Sequence, residues 1–246
     1  MVYLQRYGVY AMGRYDDVHA SLTNWETFVS SRGAGLSDFK KEKPWRAPSL
    51  LLESDPPDHT VVRTVMSGVI SPRSVRGLRA HFEAEAEALV DTLLERRAFD
   101  AVTDLAEQYP LKVFPDAVGL PPEGRENLLP YGALAFNAFG PHNDLLDAAL
   151  ASAAPVQEWI WSSCQRDALS ENGFGAQVWA AADRGEITTE QAPLLVRSLL
   201  SAGVDTTVYG IANSMYSLVT NPDQWTELHQ TPALAKFAFD EALRYE

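Results

Sequence analysis

A stripe of small side chains on a predicted helix is the feature of this sequence best suited to chemistry. Ser198, Ala202 and Thr206 are spaced so that they share one face of a helix, and Asp205 stands beside them. Small side chains let a large flat molecule approach the backbone, and an acid next to an alcohol can pass protons inward. A groove for packing another helix, with Asp205 paired to a distant arginine, explains the same pattern equally well.

A cationic pair follows a double proline in the segment Asp55-Pro-Pro-Asp-His-Thr-Val-Val-Arg63. The prolines fix the entry to a helix, so His59 and Arg63, four residues apart, emerge on one face of its first turns. Such a pair can bind a carboxylate, and arginine can do so through two parallel hydrogen bonds. For this segment alone, a capped surface helix with a solvated arginine is the favoured interpretation.

A third pair is the weakest signal. Glu241 and Arg244 are three residues apart near the end of the chain, and such pairs on a helix usually contribute only tenths of a kcal/mol.

These residues depend on one long predicted helix. Thr188 and Gln191 match a capping box, and the apolar pattern continues over about 189–220 until Asn221-Pro222 ends it. Its apolar residues go most of the way round, which is typical of a helix at the centre of a large protein. Gly203 and the threonines that follow can open the hydrogen-bond ladder locally.

The remaining elements are predicted to be mainly α-helical. Residues 1–13 alternate around Gly8 as a short β-hairpin, and a Gly-, Pro- and Lys-rich loop covers 30–52. Ser71-Pro72 opens a helix as N-cap and first helical residue. Further helices are predicted for 16–22, 103–118, 124–139, 145–169 and 174–184. No linker or repeat interrupts the pattern, so residues 1–246 are predicted to form a single domain.

The composition excludes several function classes. The chain has 246 residues, 46% hydrophobic and 22% charged, with a formal net charge of −13. This charge disfavours nucleic acid and anionic membrane surfaces as partners. No apolar run is long enough for a membrane span, and no signal peptide is recognisable, so we expect a cytoplasmic protein. The single cysteine, Cys164, allows no internal disulfide.

Taken together, the motifs resemble those of the cytochrome P450 superfamily. Ala202 to Thr207 is similar to the A-G-x-D/E-T-T motif of the family's long central helix, Asp55 to Arg63 to its D-P-P-x-H-x-x-x-R segment, and Glu241 to Arg244 to its E-x-x-R motif. The order is that of the soluble bacterial members, and the resemblance covers the whole chain. It implies a mainly α, incomplete cytochrome P450 fold.

The resemblance also implies a cofactor and roles for the motif residues. The cofactor is haem b, and the reaction is a monooxygenation that consumes O2. Asp205 and Thr206 correspond to the catalytic acid–alcohol pair that delivers protons, and Glu241 and Arg244 to a structural pair behind the haem. The positions that correspond to cofactor-binding residues are His59, Arg63, Ala202 and Gly203.

The family's iron ligand is a cysteine in a later glycine-rich loop, so it is expected beyond Glu246. Cys164 lies in a helical segment without such a loop and is interpreted as a small core residue. No metal ligand is therefore predicted within these residues, and the family's first helix is expected before Met1. We expect the 246-residue chain alone to be inactive.

A finer resemblance concerns the substrate. The loop Gly35 to Ser49 is similar to that of bacterial members that oxidise para-substituted benzoic acids, which implies hydroxylation or O-demethylation of an aromatic acid. A solvated arginine in a basic loop and ordinary helix core are the alternative interpretations. The residues that would surround the carboxylate or pack on the ring are Arg46, Ser49, Arg197, Ser198, Phe136 and Phe139.

The implied partners are a ferredoxin and a ferredoxin reductase as electron donors, with Arg73, Arg76 and Arg79 as candidate docking residues. The alternative is a haem-free helical binding protein or scaffold of this ancestry, or a pseudogene product of the same ancestry. A hydrolase is disfavoured because the chain lacks a G-x-S-x-G nucleophile elbow.

Overall fold

The computed structural model describes residues 1–245 and consists mainly of α-helices, as predicted. The chain opens with an antiparallel hairpin in which β1 (Val2–Leu4) pairs with β2 (Val9–Ala11). Twelve α-helices follow. They are α1 Tyr15–Thr23, α2 Asp58–Val69, α3 Pro72–Leu94, α4 Gln108–Val118, α5 Leu128–Asn137, α6 Asp144–Ala151, α7 Ala153–Ser163, α8 Phe174–Asp183, α9 Gln191–Ala202, α10 Asp205–Thr220, α11 Pro222–Gln230 and α12 Ala235–Tyr245. Within the described residues, none of these helices combines the length and the apolarity that a membrane crossing requires.

Two helix starts follow the predicted capping chemistry. The Ser71 hydroxyl oxygen accepts a hydrogen bond from the Ser74 N–H at 3.3 Å at the start of α3. Before α9, the Gln191 side chain accepts from the Thr188 N–H at 2.9 Å, and the Thr188 hydroxyl accepts from the Gln191 N–H at 3.3 Å. Each pair satisfies backbone donors that a helix start leaves unpaired.

Prolines interrupt two helices that were predicted to be continuous. The single helix predicted over 145–169 is wrong, because α6 ends at Ala151 and α7 begins at Ala153. Pro155 cannot donate to the Ala151 carbonyl and its ring collides with that carbonyl. Likewise, residues 103–118 are not one α-helix: a π-helical turn at Ala101–Ala106 precedes α4, and Pro110 removes the bond to the Ala106 carbonyl.

The centre of the core is α9. Ala192, Leu195, Val196 and Leu200 are each at most 1% exposed, and α9 contacts α4, α5, α7 and α8. Burial of such side chains typically contributes about 1.5–3 kcal/mol each. A helix with its apolar residues on nearly every side must be surrounded by others, so the prediction of a central helix is confirmed for α9.

The second half of the predicted long helix has a different environment. Tyr209 and Tyr216 on α10 are 61% and 66% exposed, and Asp205, Val208 and Gly210 are its buried residues. Within residues 1–245, the apolar residues of α10 are therefore covered less fully than those of α9, and the burial of this half of the helix in a larger protein stays a prediction. One long face of α10 is open.

The predicted span of the central helix is confirmed, but the helix is interrupted at Gly203–Val204. The Thr206 hydroxyl donates to the Ala202 carbonyl at 2.8 Å, and the Thr207 hydroxyl donates to the Gly203 carbonyl at 3.4 Å. In a continuous helix these carbonyls would accept from the backbone N–H groups four residues on. The Thr207 N–H donates instead to the Val204 carbonyl at 3.0 Å. The threonine hydroxyl groups thus take the place of backbone N–H donors where α9 meets α10.

Gly203 is glycine for a reason of packing. A Cβ atom at this position would overlap the ring of Phe114 on α4. We therefore expect Gly203→Ala to lower the free energy of unfolding by about 1–3 kcal/mol, the usual cost of forcing extra volume into a packed site. Chemical denaturation followed by circular dichroism measures the change.

The comparison variants for Gly203→Ala are Gly77→Ala and the double variant Gly203→Ala/Phe114→Leu. Gly77 lies on α3 with open space where a Cβ would be, so its replacement should stabilise the helix by about 0.5–1 kcal/mol. Phe114→Leu removes ring atoms and should recover part of the loss in the double variant. If Gly203→Ala lowers the free energy of unfolding equally in the wild-type and the Phe114→Leu backgrounds, the packing explanation is contradicted.

Candidate active site

Asp205 is the first residue of α10, and its carboxyl group lies against α5. A Cβ atom on Gly132 of α5 would overlap this carboxyl group, so glycine is what lets the two helices meet here. Asp205 is 6% exposed. Burial, with a further contribution from the nearby Glu107 carboxylate, raises the pKa of Asp205 from 3.8 to about 6. A carboxyl group with a pKa near neutrality can both accept and donate a proton.

Thr206 and Ala202 face away from the core. Both residues are exposed, and the Thr206 hydroxyl donates to the Ala202 carbonyl. Within the described residues, no hydrogen bond joins the Thr206 hydroxyl to the Asp205 carboxyl. The structure therefore places the predicted acid and alcohol in one helical turn, with the acid in a desolvated pocket and the alcohol on the open face.

His59 and Arg63 lie on the first two turns of α2, as the proline-led motif predicts. His59 is partly buried and Arg63 is exposed. Among residues 1–245, neither side chain has a hydrogen-bond or ion-pair partner within bonding distance. Two unpaired donors on one helix face suit an anionic group such as a haem propionate.

The residues present fit the face of a haem. Around its interruption, the helix exposes the small side chains of Ala202 and Thr206, which would allow a flat macrocycle to approach the backbone there. Gly203, which was also predicted to line the haem, has its missing Cβ aimed at Phe114, so helix packing already accounts for the glycine. Its contact with haem stays a prediction.

Arg46, the predicted substrate-binding cation, is buried and paired. Its side chain is 10% exposed, and its Nη1 atom lies 3.3 Å from Oε2 of Glu53, whose side chain is 5% exposed. Nη1 also donates to the Ala47 carbonyl at 3.0 Å. The Nε atom is buried and has no hydrogen-bond partner within the described part of the chain. The alternative of a solvated arginine is therefore wrong, and the guanidinium retains a free donor.

Arg197 of α9 reaches the same loop. It is 6% exposed, and its Nη2 atom donates to the Ala47 carbonyl at 2.8 Å and the Pro48 carbonyl at 3.3 Å. Burial lowers the pKa of Arg197, and the neighbouring Arg46 guanidinium lowers it further. Two arginines thus converge on one peptide group.

Ser49 and Ser198 were predicted to bind a carboxylate through their hydroxyl groups. Ser49 is 4% exposed, and its Oγ accepts from the N–H groups of Leu51 and Leu52 at 3.3 and 3.2 Å. These bonds leave the Ser49 hydroxyl hydrogen free to donate. Ser198 already donates to the Leu194 carbonyl at 3.0 Å, so its hydroxyl group would have to rotate to reach a ligand.

Phe136 and Phe139 stand at the end of α5 with ring centroids 6.2 Å apart in an edge-to-face arrangement. Phe136 is 45% exposed, so ordinary core packing does not account for it. The Phe139 carbonyl accepts from the Leu36 N–H at 3.0 Å, and a Cβ atom on Gly35 would collide with the Phe139 backbone. The predicted substrate loop is therefore held against the end of α5.

Arg46 lines two cavities. One, of about 210 Å³, is lined by Phe139, Trp45, Arg46 and Glu53 among others. The other, of about 240 Å³, is lined by Trp45, Arg46, Tyr131 and Arg197 among others. Pockets for drug-sized ligands have roughly 300–1,000 Å³. The smaller volumes favour a small ligand. Of the predicted substrate residues, Arg46 lines both cavities, Phe139 only the first and Arg197 only the second, whereas Ser49, Ser198 and Phe136 line neither.

Glu241 and Arg244 form an ion pair with bonds of 2.7 and 2.6 Å. Their side chains are 61% and 67% exposed, so within residues 1–245 the pair lies on the surface, and its role behind the haem stays a prediction. Cys164 is 0% exposed, and burial raises the pKa of its thiol to about 12. The interpretation of Cys164 as a core residue is confirmed.

Sequence reasoning missed four residues of this site: Trp45, Glu53, Tyr131 and Gly132. Trp45 stands beside Arg46 and could have been included with it. Glu53 follows the basic loop, but an acid beside an expected anion site gives no positive signal. Tyr131 contacts Ser201, 70 positions later in the chain, and Gly132 contacts Asp205, 73 positions later. Only the fold brings these residues together.

Comparison with known proteins identifies a set of related chains. No model of a protein family matches the sequence. Cytochrome p450 CYP199A2 of Rhodopseudomonas palustris is 57% identical over the whole chain, which spans 60% of that protein. The epothilone C/D epoxidase of Sorangium cellulosum is 27% identical, with 96% of the chain and 59% of that protein aligned. The chain thus spans about 60% of the length of these relatives.

Solved structures show the same fold. Cytochrome P450 CREJ in complex with (4-ethylphenyl) dihydrogen phosphate superposes on the whole chain with a TM-score of 0.84 at 25% identity, and the chain covers 64% of that protein. The epothilone B-bound cytochrome P450epoK aligns over 99% of the chain with a TM-score of 0.70, also at 25% identity.

Proposed function

The chain belongs to the cytochrome P450 superfamily, and from that premise we propose that the protein containing it is a haem-dependent monooxygenase of small aromatic carboxylic acids. The observation that carries the proposal is Arg46, whose side chain is nine-tenths buried and whose Nε has no partner among residues 1–245. It borders a small cavity that Phe139 also lines. A cation at one end of an aromatic-lined cavity orients an aryl acid with its carboxylate toward the cation.

The residues of this chain would position the substrate as follows. Arg46 and the free hydroxyl hydrogen of Ser49 hold the carboxylate, and Arg197 adds a second positive charge nearby. Phe136 and Phe139 pack against the ring. This fixed carboxylate directs the para substituent away from the arginines, so para-methoxy demethylation and para-alkyl hydroxylation are the reactions that the arrangement favours.

A second group of residues would serve the cofactor. Haem, when bound, would supply the oxygen-activating chemistry. His59 and Arg63 would hold a propionate, and Ala202 and Gly203 would lie against the macrocycle. Asp205 donates or accepts protons at its carboxyl group because its pKa lies near neutrality. Thr206 presents its hydroxyl group on the open face of the same turn.

The electron donors in this proposal are a ferredoxin and a ferredoxin reductase. Arg73 and Arg76 on α3 are exposed, within reach of a protein partner. Arg79 pairs with Glu83 at 2.7 Å, which makes it the weaker candidate of the three docking residues.

An assay of the complete, haem-loaded protein tests the proposal. With a ferredoxin, its reductase, NAD(P)H and O2, 4-methoxybenzoate should give equal amounts of 4-hydroxybenzoate and formaldehyde. Methyl 4-methoxybenzoate has the same ring without the negative charge. Its kcat/KM should be at least about 100-fold lower than that of the acid, because the buried cations lose their partner. Equal turnover of acid and ester, or no turnover of either, would refute the substrate assignment.

The comparisons support the chemical class without fixing the substrate. Cytochrome P450 CREJ holds a para-substituted aryl phosphate in its solved complex, which is also an aromatic ring joined to an acidic group. The epothilone epoxidase shares the family but is named for a different kind of substrate. The aromatic acid assignment therefore depends on the local residues, above all Arg46.

A further inference from the structure

Glu53 is a buried acid in the middle of the proposed carboxylate site. Its Oε2 atom accepts from the Ser49 N–H at 2.6 Å and lies 3.3 Å from Arg46 Nη1. An acid at this position would be expected to repel an acidic substrate, so its presence requires an explanation. The proposed function itself does not use it.

The explanation lies in the number of buried charges. Arg46 and Arg197 contribute two positive charges close to the Ala47 carbonyl, and Glu53 contributes one negative charge. One positive charge is left without a partner in this cluster, and the unpaired Nε of Arg46 shows where a donor is free. A buried charge without a partner is costly, so one further negative charge completes the cluster.

We propose that Glu53 is a positioning residue that sets the charge selectivity of this site, so that it takes monoanionic aryl acids in preference to dianionic or neutral analogues. Glu53 holds the Arg46 guanidinium and the Ser49 backbone in place, and it neutralises one of the two arginine charges. The inference rests on the proposed function, because it refines which aryl acids the same site accepts.

The comparison with an aryl phosphate makes the inference testable. A phosphate monoester has its second pKa near about 6, so at about pH 8 it is a dianion, whereas a benzoate is a monoanion. The probes are 4-methoxybenzoate and 4-methoxyphenyl phosphate, which differ in the charge of the acidic group. Equilibrium dissociation constants are measured by calorimetry on the complete, haem-loaded protein, without turnover.

The wild-type protein should bind the benzoate at least about tenfold more tightly than the phosphate, since the second negative charge finds no partner. Glu53→Gln keeps the shape and an acceptor for the Ser49 N–H but adds one net positive charge to the cluster. It should shift the ratio of the two dissociation constants by about tenfold or more toward the phosphate. Glu53→Asp keeps the charge and should keep the wild-type preference.

The matched control is Glu26→Gln, an equal change of charge at an exposed position that borders neither cavity. Because solvent and salt screen an exposed charge, the ratio of the two dissociation constants should change by less than about twofold in this control variant. An unchanged ratio in folded Glu53→Gln, or an equal shift in Glu26→Gln, would overturn the inference while leaving the aryl acid proposal intact. If Glu53→Gln does not fold, the wild-type ratio decides, and a preference for the dianion overturns the inference. Failure of the wild type to bind either probe would refute the proposed function as well.

Discussion

Replacing Asp205 by asparagine in the complete, haem-loaded protein is expected to lower kcat for 4-methoxybenzoate by about 100-fold, the usual size of a lost general acid–base contribution. The carboxyl group is desolvated against Gly132 and near Glu107, and its pKa is raised to about 6. Asparagine preserves the shape of the side chain but cannot release a proton. The dissociation constant of the substrate should change little, because Asp205 lies apart from the arginine cluster.

Steady-state kinetics at several pH values measure this effect. The control is Asp183→Asn, which removes an exposed acid that is paired with Arg166 far from the helix interruption, and it should leave kcat unchanged. A kcat of Asp205→Asn within about threefold of the wild type would show that the carboxyl group does not deliver protons.

The same variant has a predictable effect on stability. Because the fold raises the pKa of Asp205 from 3.8 to about 6, the neutral acid is the form that the fold favours. Its stabilising contribution is complete below about pH 4 and is lost as the pH rises through about 6. Asp205→Asn removes this loss. Above about pH 7, the free energy of unfolding of the variant should therefore exceed that of the wild type by about 1–2 kcal/mol, and near pH 4 the two should be equal. A constant difference at all pH values would contradict the burial argument.

Local rules predicted much of the fold. The capping residues Ser71 and Thr188 start helices where the sequence indicates, and the hairpin lies within residues 1–13. The helix interruptions are also local, because Pro110 and Pro155 each remove a hydrogen bond and crowd a carbonyl. They were missed because apolar periodicity continues across a proline.

The geometry of the site depends on contacts that no local rule gives. Gly132 is an unfavourable residue for a helix interior, yet its role emerges only when Asp205 is seen against it. Gly203 illustrates the opposite case: a motif predicts contact with haem, while Phe114 provides the packing reason for the glycine. Glu53 was missed since an acid gives no sign in the sequence that it holds an arginine.

Arg46 carries the second large expected effect. Arg46→Ala should raise the dissociation constant of 4-methoxybenzoate about 100-fold, equivalent to about 2.7 kcal/mol, because the carboxylate loses its main cation and meets the unpaired Glu53. The double variant Arg46→Ala/Glu53→Gln removes both charges of the buried Arg46–Glu53 pair. It therefore leaves no unpaired Glu53 carboxylate that could prevent folding. Lys40→Ala, which removes an exposed cation from the same loop, should change the constant by less than about twofold.

The most direct measurement is a titration of 4-methoxybenzoate into the complete, haem-loaded protein, followed by the Soret band. A saturable shift to the high-spin form in the wild type and in Lys40→Ala is expected. In Arg46→Ala the shift should require about 100-fold more ligand. Equal titrations of Arg46→Ala and the wild type, or no shift in a haem-loaded wild type, would contradict the assignment of this site to aromatic carboxylic acids.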